Sequence, residues 1–328
     1  MRKMLLTIVV LAVTLIAAED VSAREDCLTC HGRAGVARFV DESLYGASVH
    51  GKLPCNSCHL DVAGFPHRKV AHVKCFICHF TGSMGAPKVK EFKESIHGKA
   101  LAKGNMGAAN CQTCHGSHSI LPARDERSMT SRRNVPVLCS GCHGAEYQEY
   151  QRSIHGQEFI EKKNQRAAVC VDCHMEHHLI RGVEEPSWKL SLINECGSCH
   201  AEQLNTYRKT FHGKVARLGY ATVAKCSDCH GSHRILPAGN KDSMIAEGHI
   251  VATCGKCHPG ATAAFTKFYA HPEESDRKKY PMLFYVYYFM SALLIGVFTF
   301  FFIHTFLWAY RALKVRMRGE ANDIHKKI

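Results

Sequence analysis

The sequence predicts an α-helical chain with almost no β-structure, in which short helices and long loops wrap a core that side chains alone do not make, followed by one membrane-spanning helix. Three observations carry that expectation. The pentapeptide Cys-x-x-Cys-His occurs nine times and uses all 18 cysteines. These motifs divide the 248 residues from Arg24 to His271 into pieces of about 28 residues, too little chain per piece for a conventional hydrophobic core. Near the C-terminus, thirty consecutive residues, 281–310, carry no charge.

The N-terminus reads as an export signal. Arg2 and Lys3 precede an apolar run over 4–18, and Val21-Ser22-Ala23 supplies small residues for cleavage before Arg24, the layout of a secretory signal peptide spanning 1–23. The region that follows, 24–270, is expected to lie outside the inner membrane.

The motifs come next. They are Cys27 and Cys30 with His31, Cys55 and Cys58 with His59, Cys75 and Cys78 with His79, Cys111 and Cys114 with His115, and Cys139 and Cys142 with His143. Cys170 and Cys173 with His174, Cys196 and Cys199 with His200, Cys226 and Cys229 with His230, and Cys254 and Cys257 with His258 complete the set. Cys-x-x-Cys-His is the attachment site of c-type haem. Two thiols add across the two vinyl groups of one ring, and the adjacent histidine reaches the iron as its proximal ligand. Zinc pairs need no histidine at a fixed offset, and disulfides give no reason for a repeated pentapeptide. The expected cofactor is therefore nine covalently bound haem c, which form the core.

The other histidines are also periodic. His97, His155, His212 and His271 follow one another at steps of 58, 57 and 59 residues, mostly in the phrase S/T-x-His-Gly, and His50 opens a contracted first unit. Motifs beginning at Cys111, Cys170 and Cys226, and at Cys139, Cys196 and Cys254, keep the same step, so the chain is an array of two-haem units of about 58 residues. His118, His177 and His233 each stand three residues after a proximal histidine. Electron-carrying c-haems take a second axial ligand, often histidine. The distal candidates are His50, His97, His118, His155, His177, His212, His233 and His271, with either His67 or His72 for the irregular first unit. His178 and His249 are surplus.

A histidine three residues beyond the proximal one cannot reach the opposite face of the same flat ring. His118, in CQTCHGSHSILP at 111–122, must therefore serve a different haem from His115. The Ile-Leu-Pro that closes this phrase, and its copy at 235–237, is expected to pack on a haem face and turn the chain.

Residues 271–280, HPEESDRKKY, read as a hydrophilic linker, and 281–310 exceed the roughly 20 apolar residues that span a bilayer. Tyrosines gather at the start of the span, Trp308 and Tyr310 at its end, and the tail 311–328 carries six Lys or Arg against two acids. The positive-inside rule puts the tail in the cytoplasm and the haem region in the periplasm. His304, within the span, is open to haem b ligation, quinone proton chemistry or a simple hydrogen bond. The formal charge of +13 would ordinarily raise nucleic acid as a partner. Eighteen haem propionates account for that charge instead, and no nucleic-acid role is expected.

With these motifs in hand, the chain resembles the multihaem c-type cytochromes of bacterial respiration. More narrowly, nine c-haem sites followed by a membrane segment are similar to the c-haem part of inner-membrane cytochrome bc-type quinol oxidoreductases of metal-reducing bacteria. That resemblance implies an electron-transfer subunit with no catalytic residues of its own. Its partners would be a membrane cytochrome b-like or quinone-reactive subunit and periplasmic redox proteins. Electrons would enter at Cys254–His258 and leave at Cys27–His31 if chain order follows space. The competing reading is a multihaem enzyme in which one five-coordinate haem acts on a small nitrogen or sulfur compound.

Overall fold

The computed structural model describes residues 27–36, 38–62, 64, 66–67, 70–81, 86–177 and 186–325; the signal-peptide region 1–23 and His178 lie outside them. Among the described residues there are helices and no strand. The chain divides into two units: the first holds 27–199 and 219–266, the second 200–218 and 267–325.

In the first unit the helices are short because the sequence stops them quickly. Cys111–His115, Cys170–His174 and Cys226–His230 are single helices of five residues. One helical turn puts positions i, i+3 and i+4 on one side, so both sulfurs and the histidine project together. The third motif residue closes the start of the turn. Thr113 Oγ1 accepts from Asn110 N (3.1 Å), Asp172 Oδ2 from Val169 N (2.7 Å) and Asp228 Oδ2 from Lys225 N (2.9 Å). The turn ends at a left-handed residue: Gly116 (φ 75°), Met175 (φ 61°) and Gly231 (φ 85°).

A second local device recurs in the S/T-x-His-Gly phrase. The hydroxyl of Ser95 donates to Phe92 O (2.6 Å) and accepts from Gly98 N (3.1 Å). Ser153 does the same between Tyr150 O and Gly156 N (2.6 and 3.0 Å), and Thr210, in the second unit, between Tyr207 O and Gly213 N (2.6 and 3.1 Å). Each hydroxyl therefore ends one helix and caps the next. Ser95 and Ser153 are fully buried. The glycine lies against the last turn of the preceding helix, where a Cβ would collide with the carbonyl oxygen of Phe92, Tyr150 or Tyr207. The histidine between hydroxyl and glycine is thereby held at the corner where one helix ends and the next begins.

Side chains alone make little core. Few apolar side chains are buried among the described residues, and Val135, Phe159, Ala167 and Val169 form a small cluster. Specific polar ties do much of the rest. Arg132 forks onto both carboxylate oxygens of Asp172 (2.9 and 2.7 Å) and donates to Gln165 O and Ala167 O (2.9 and 2.8 Å), clamping one loop to the next motif.

The second unit joins helices Ala201–Lys209 and Phe211–Arg217 to the C-terminal helix Pro281–His325. Its connecting segment is held down: Lys209 Nζ donates to Glu273 (3.2 Å) and Glu274 (2.8 Å), and the buried Tyr280 donates to His271 O (3.2 Å). Over Pro281–Arg318 the last helix is long and apolar enough to cross a membrane, and its apolar stretch is not covered by other parts of the chain.

Candidate haem-ligating site

Twelve histidines of the first unit form facing pairs. His31 faces His67 with ring centroids 5.8 Å apart, His50 faces His79 at 5.9 Å, and His59 faces His118 at 6.0 Å. His97 faces His143 at 6.1 Å, His115 faces His177 at 5.9 Å, and His174 faces His233 at 6.0 Å. Every pair combines one histidine that directly follows Cys-x-x-Cys with one that does not. Ordinary ring contacts also fall in this distance range, but they have no reason to respect that rule six times in six.

The spacing fits a metal between the rings. A metal-bound imidazole nitrogen lies about 2 Å from the metal and the ring centroid about 1 Å further, so two trans ligands hold their centroids about 6 Å apart. The donor set is also right for iron in a porphyrin, which leaves two axial positions for imidazole. Among the described residues no three His, Cys, Asp or Glu side chains converge as a tetrahedral zinc site would require. None of the described cysteines forms a disulfide.

Burial keeps these rings in their ligating form. It pushes His50, His97, His115, His118, His174 and His177 below the usual histidine range, and a facing or neighbouring histidine adds to the effect in five of them. A neutral imidazole is the form that binds metal. Second interactions orient several candidates. His31 Nδ1 lies 3.2 Å from Arg38 O, and His271 Nδ1 lies 3.2 Å from Gln203 O and 3.1 Å from Thr206 Oγ1. Trp188 stacks at 5.6 Å on His174 and restricts its rotation.

Thiols of neighbouring motifs also meet. Cys75 and Cys111 share a hydrogen bond, which draws Cys75 down to about 6 and pushes Cys111 up. Cys139 and Cys170, and Cys196 and Cys226, repeat the arrangement, with Cys139 and Cys196 each drawn down to about 7.

The pairs place several residues that the sequence left open. His67 and His72 are both exposed, and it is His67 that faces His31. His155 and His212 stand second in the same capped corner as His97. The surplus His249 has a structural counterpart: 111–143 and 226–258 align without gaps, and His249 falls where Asn134 stands. Asn134 Nδ2 donates to Ser128 O (2.8 Å), and His249 Nδ1 lies 3.2 Å from the equivalent Ser243 O, so His249 closes a loop. Ile-Leu-Pro has a backbone role. Ile120 O accepts from Val49 N (2.9 Å) and Ile235 O from Ile154 N (2.8 Å), in each case the residue just before a distal candidate. Leu121 O and Leu236 O accept from Ser128 and Ser243 (both 3.1 Å), which sets the turn.

No protein family and no curated protein matches the chain.

Proposed function

We propose that the chain is a membrane-anchored multihaem c-type cytochrome that carries electrons from the quinol pool to periplasmic acceptors. The observation that supports this best is the set of six histidine pairs, each pairing one motif histidine with one other at the separation of two axial ligands. In this reading the eighteen cysteines hold nine haem c as thioethers, and the nine motif histidines are proximal ligands. His67, His50, His118, His97, His177 and His233 are distal ligands to the irons of His31, His79, His59, His143, His115 and His174. Three motifs, at 196–200, 226–230 and 254–258, then remain, and three candidates remain with them: His155, His212 and His271.

Each haem supplies a one-electron ferric/ferrous couple. What the protein does is close the axial positions, exclude water from the irons and keep the sites adjacent. A fully ligated set leaves no open position for substrate, which favours conduction over catalysis. The excess of lysine and arginine offsets haem propionates. The helix from Pro281 anchors the chain, with the haem region on the periplasmic side and a cytochrome b-like or quinone-reactive subunit as the donor.

The reading is tested on detergent-purified, oxidised protein. Intact mass and pyridine haemochrome assay are expected to give nine haems per chain, and low-temperature EPR to give only low-spin ferric signal. A chain without covalent haem would end the proposal. Nine haems with about one iron in nine high-spin would replace it with a multihaem enzyme.

A further inference from the structure

We infer that the short helix Phe211–Arg217, with Phe268 and Tyr269 beside it, is a second membrane contact, seated among anionic lipid headgroups next to the point where the helix from Pro281 enters the bilayer. The inference rests on the anchoring part of the reading above and adds a lipid-binding surface to it.

Contacts within the second unit place this corner at the head of the membrane helix. Tyr280 immediately precedes Pro281 and is buried; its hydroxyl donates to His271 O (3.2 Å), and its ring lies 4.8 Å from that of Tyr269. Thr206 Oγ1 lies 3.1 Å from His271 Nδ1, and Lys209, the last residue of its helix, bonds Glu273 and Glu274. The ring of Phe268 meets that of His212 at 6.2 Å. Residues on both sides of Thr210 are therefore tied to the segment that leads into the span.

The corner helix has the surface that a headgroup layer requires. Gly213 and Ala216 are buried on one side, while Phe211, Lys214 and Leu218, spaced i, i+3 and i+7, share the other. Phe211 is 77% and Leu218 86% exposed, and Phe268 and Tyr269 are exposed as well. Single exposed apolar residues are ordinary, but the repeat supplies an internal control. The residue between hydroxyl and histidine is Val49, Ile96 or Ile154 in the other copies of the phrase, and the residue seven further on is Asn56, Lys103 or Glu161. Only the copy tied to the membrane helix has a large apolar residue at both positions. Charge agrees with this placement. Lys214 and Arg217 are exposed on the same helix, and Arg277 lies 5.4 Å over the ring of Tyr285 in the span's first turns. Two acids of the connecting segment, Glu273 and Glu274, are taken up by Lys209. Phenylalanine and leucine on either side of a cation bind a lipid interface by burying apolar area while the cation meets phosphate.

The test uses the full haem-loaded chain in nanodiscs of mixed phosphatidylcholine and phosphatidylglycerol. A photoreactive p-benzoylphenylalanine replaces Leu218 in one chain, the equivalent Lys103 in a second and the mid-span Leu294 in a third. After irradiation, mass spectrometry reads phospholipid adducts. They are expected at 294 and 218 and not at 103. Lys214→Glu is expected to lower the yield at 218 by at least about fivefold in the mixed lipid and to change it little in phosphatidylcholine alone. An adduct at 294 without one at 218, or equal yields at 218 and 103, would overturn the inference and leave the anchor standing. A yield at 218 indifferent to both lipid charge and Lys214→Glu would refute the anionic-headgroup assignment, and capture of a protein instead of lipid at 218 in native membranes would give the face to a partner subunit. No adduct at 294 would remove the anchor itself, and this inference with it.

Discussion

Gly98 and Gly144 each directly follow a histidine of the His97–His143 pair, yet the structure assigns them opposite sensitivities. At Gly98 an added Cβ meets Phe92 O, Phe92 C and Lys93 Cα of the preceding helix, all backbone atoms with no flexible side chain to yield. At Gly144, after His143, nothing lies within 4 Å and the residue opens the helix Gly144–Arg152. Gly98→Ala must therefore open the corner that holds His97 against His143 at 6.1 Å. Overpacking a fixed backbone costs about 1–3 kcal/mol, and loss of the Ser95 cap adds about 0.5–2 kcal/mol where Gly98 N moves out of range of the hydroxyl. For a unit of this size each kcal/mol lowers Tm by about 2–4 °C. Gly144→Ala removes only backbone freedom and is expected to leave stability unchanged or raise it by up to about 1 kcal/mol. Thermal melts followed at the Soret band, with EPR of the oxidised state, check both. Gly98→Ala is expected to melt several degrees lower and convert about one iron in nine from low-spin to high-spin or to a strained low-spin signal. Melting and spectra identical to the parent would mean that the corner does not position His97, and the argument from the S/T-x-His-Gly phrase would fail.

Two further outcomes follow from the same geometry. Burial holds six of the paired histidines below their unfolded pKa, so the unfolded chain binds more protons than the folded one below about pH 6.5. Stability is then full above that pH and falls as pH drops through the folded values; low-spin amplitude and Tm followed from pH 8 to pH 4 should decline together, and a Tm that rose on acidification would contradict the ligand assignment. Arg132→Lys keeps the charge but cannot reproduce a fork that meets Asp172 with two nitrogens and also reaches Gln165 O and Ala167 O; a loss of about 1 kcal/mol is expected after allowing for the partial exposure of the pair, and an unchanged denaturation midpoint would show the clamp to be idle.

Much of the site was readable from residue order because covalent chemistry is local. Two thiols and an imidazole that must meet one ring have to lie within one helical turn, so all nine motifs announce themselves. The corner that holds His97, His155 and His212 was readable for a related reason: it needs a capping hydroxyl before the histidine and a glycine after it, and that phrase repeats. Pairing was not readable. Stereochemistry excludes His118 from the iron of His115, but that it reaches back two motifs to His59 depends on how the loops return. His67 and His72 sit in a segment without periodicity, where no local signal separates them. His249 resembled a spare ligand because its counterpart in the other repeat, Asn134, is chemically different, so that the shared loop-closing contact to Ser128 O and Ser243 O does not show in the residue types. The segment 271–280 has the composition of a free linker, and only the contacts of Lys209 and Tyr280 show it strapped down.

The phrase CQTCHGSHSILP can now be taken apart by a single insertion. His115 faces His177, His118 faces His59, and Ile120 O holds Val49 N beside His50, which faces His79. Twelve residues thus bear on three histidine pairs, which the proposed reading makes the iron sites of the fourth, second and third motifs. One glycine inserted after Gly116 leaves Cys111, Cys114 and His115 untouched but displaces the residues just after it, His118 and Ile120, by up to about 3.5 Å. That displacement exceeds the tolerance of an iron–nitrogen bond of about 2 Å and of the 2.9 Å Ile120–Val49 hydrogen bond. The site of the fourth motif should stay low-spin, because His115 and His177 both keep their places. The second should lose its distal ligand outright, and the third should weaken as His50 loses the backbone bond beside it. His118→Ala, by contrast, removes one ligand and leaves Ile120 in position, so only the second site should change. EPR spin counts near two in nine altered irons for the insertion and one in nine for the substitution would support this division of labour. Equal counts for the two variants would show that Ile120 has no part in holding His50, and that the repeat of Ile-Leu-Pro needs another explanation.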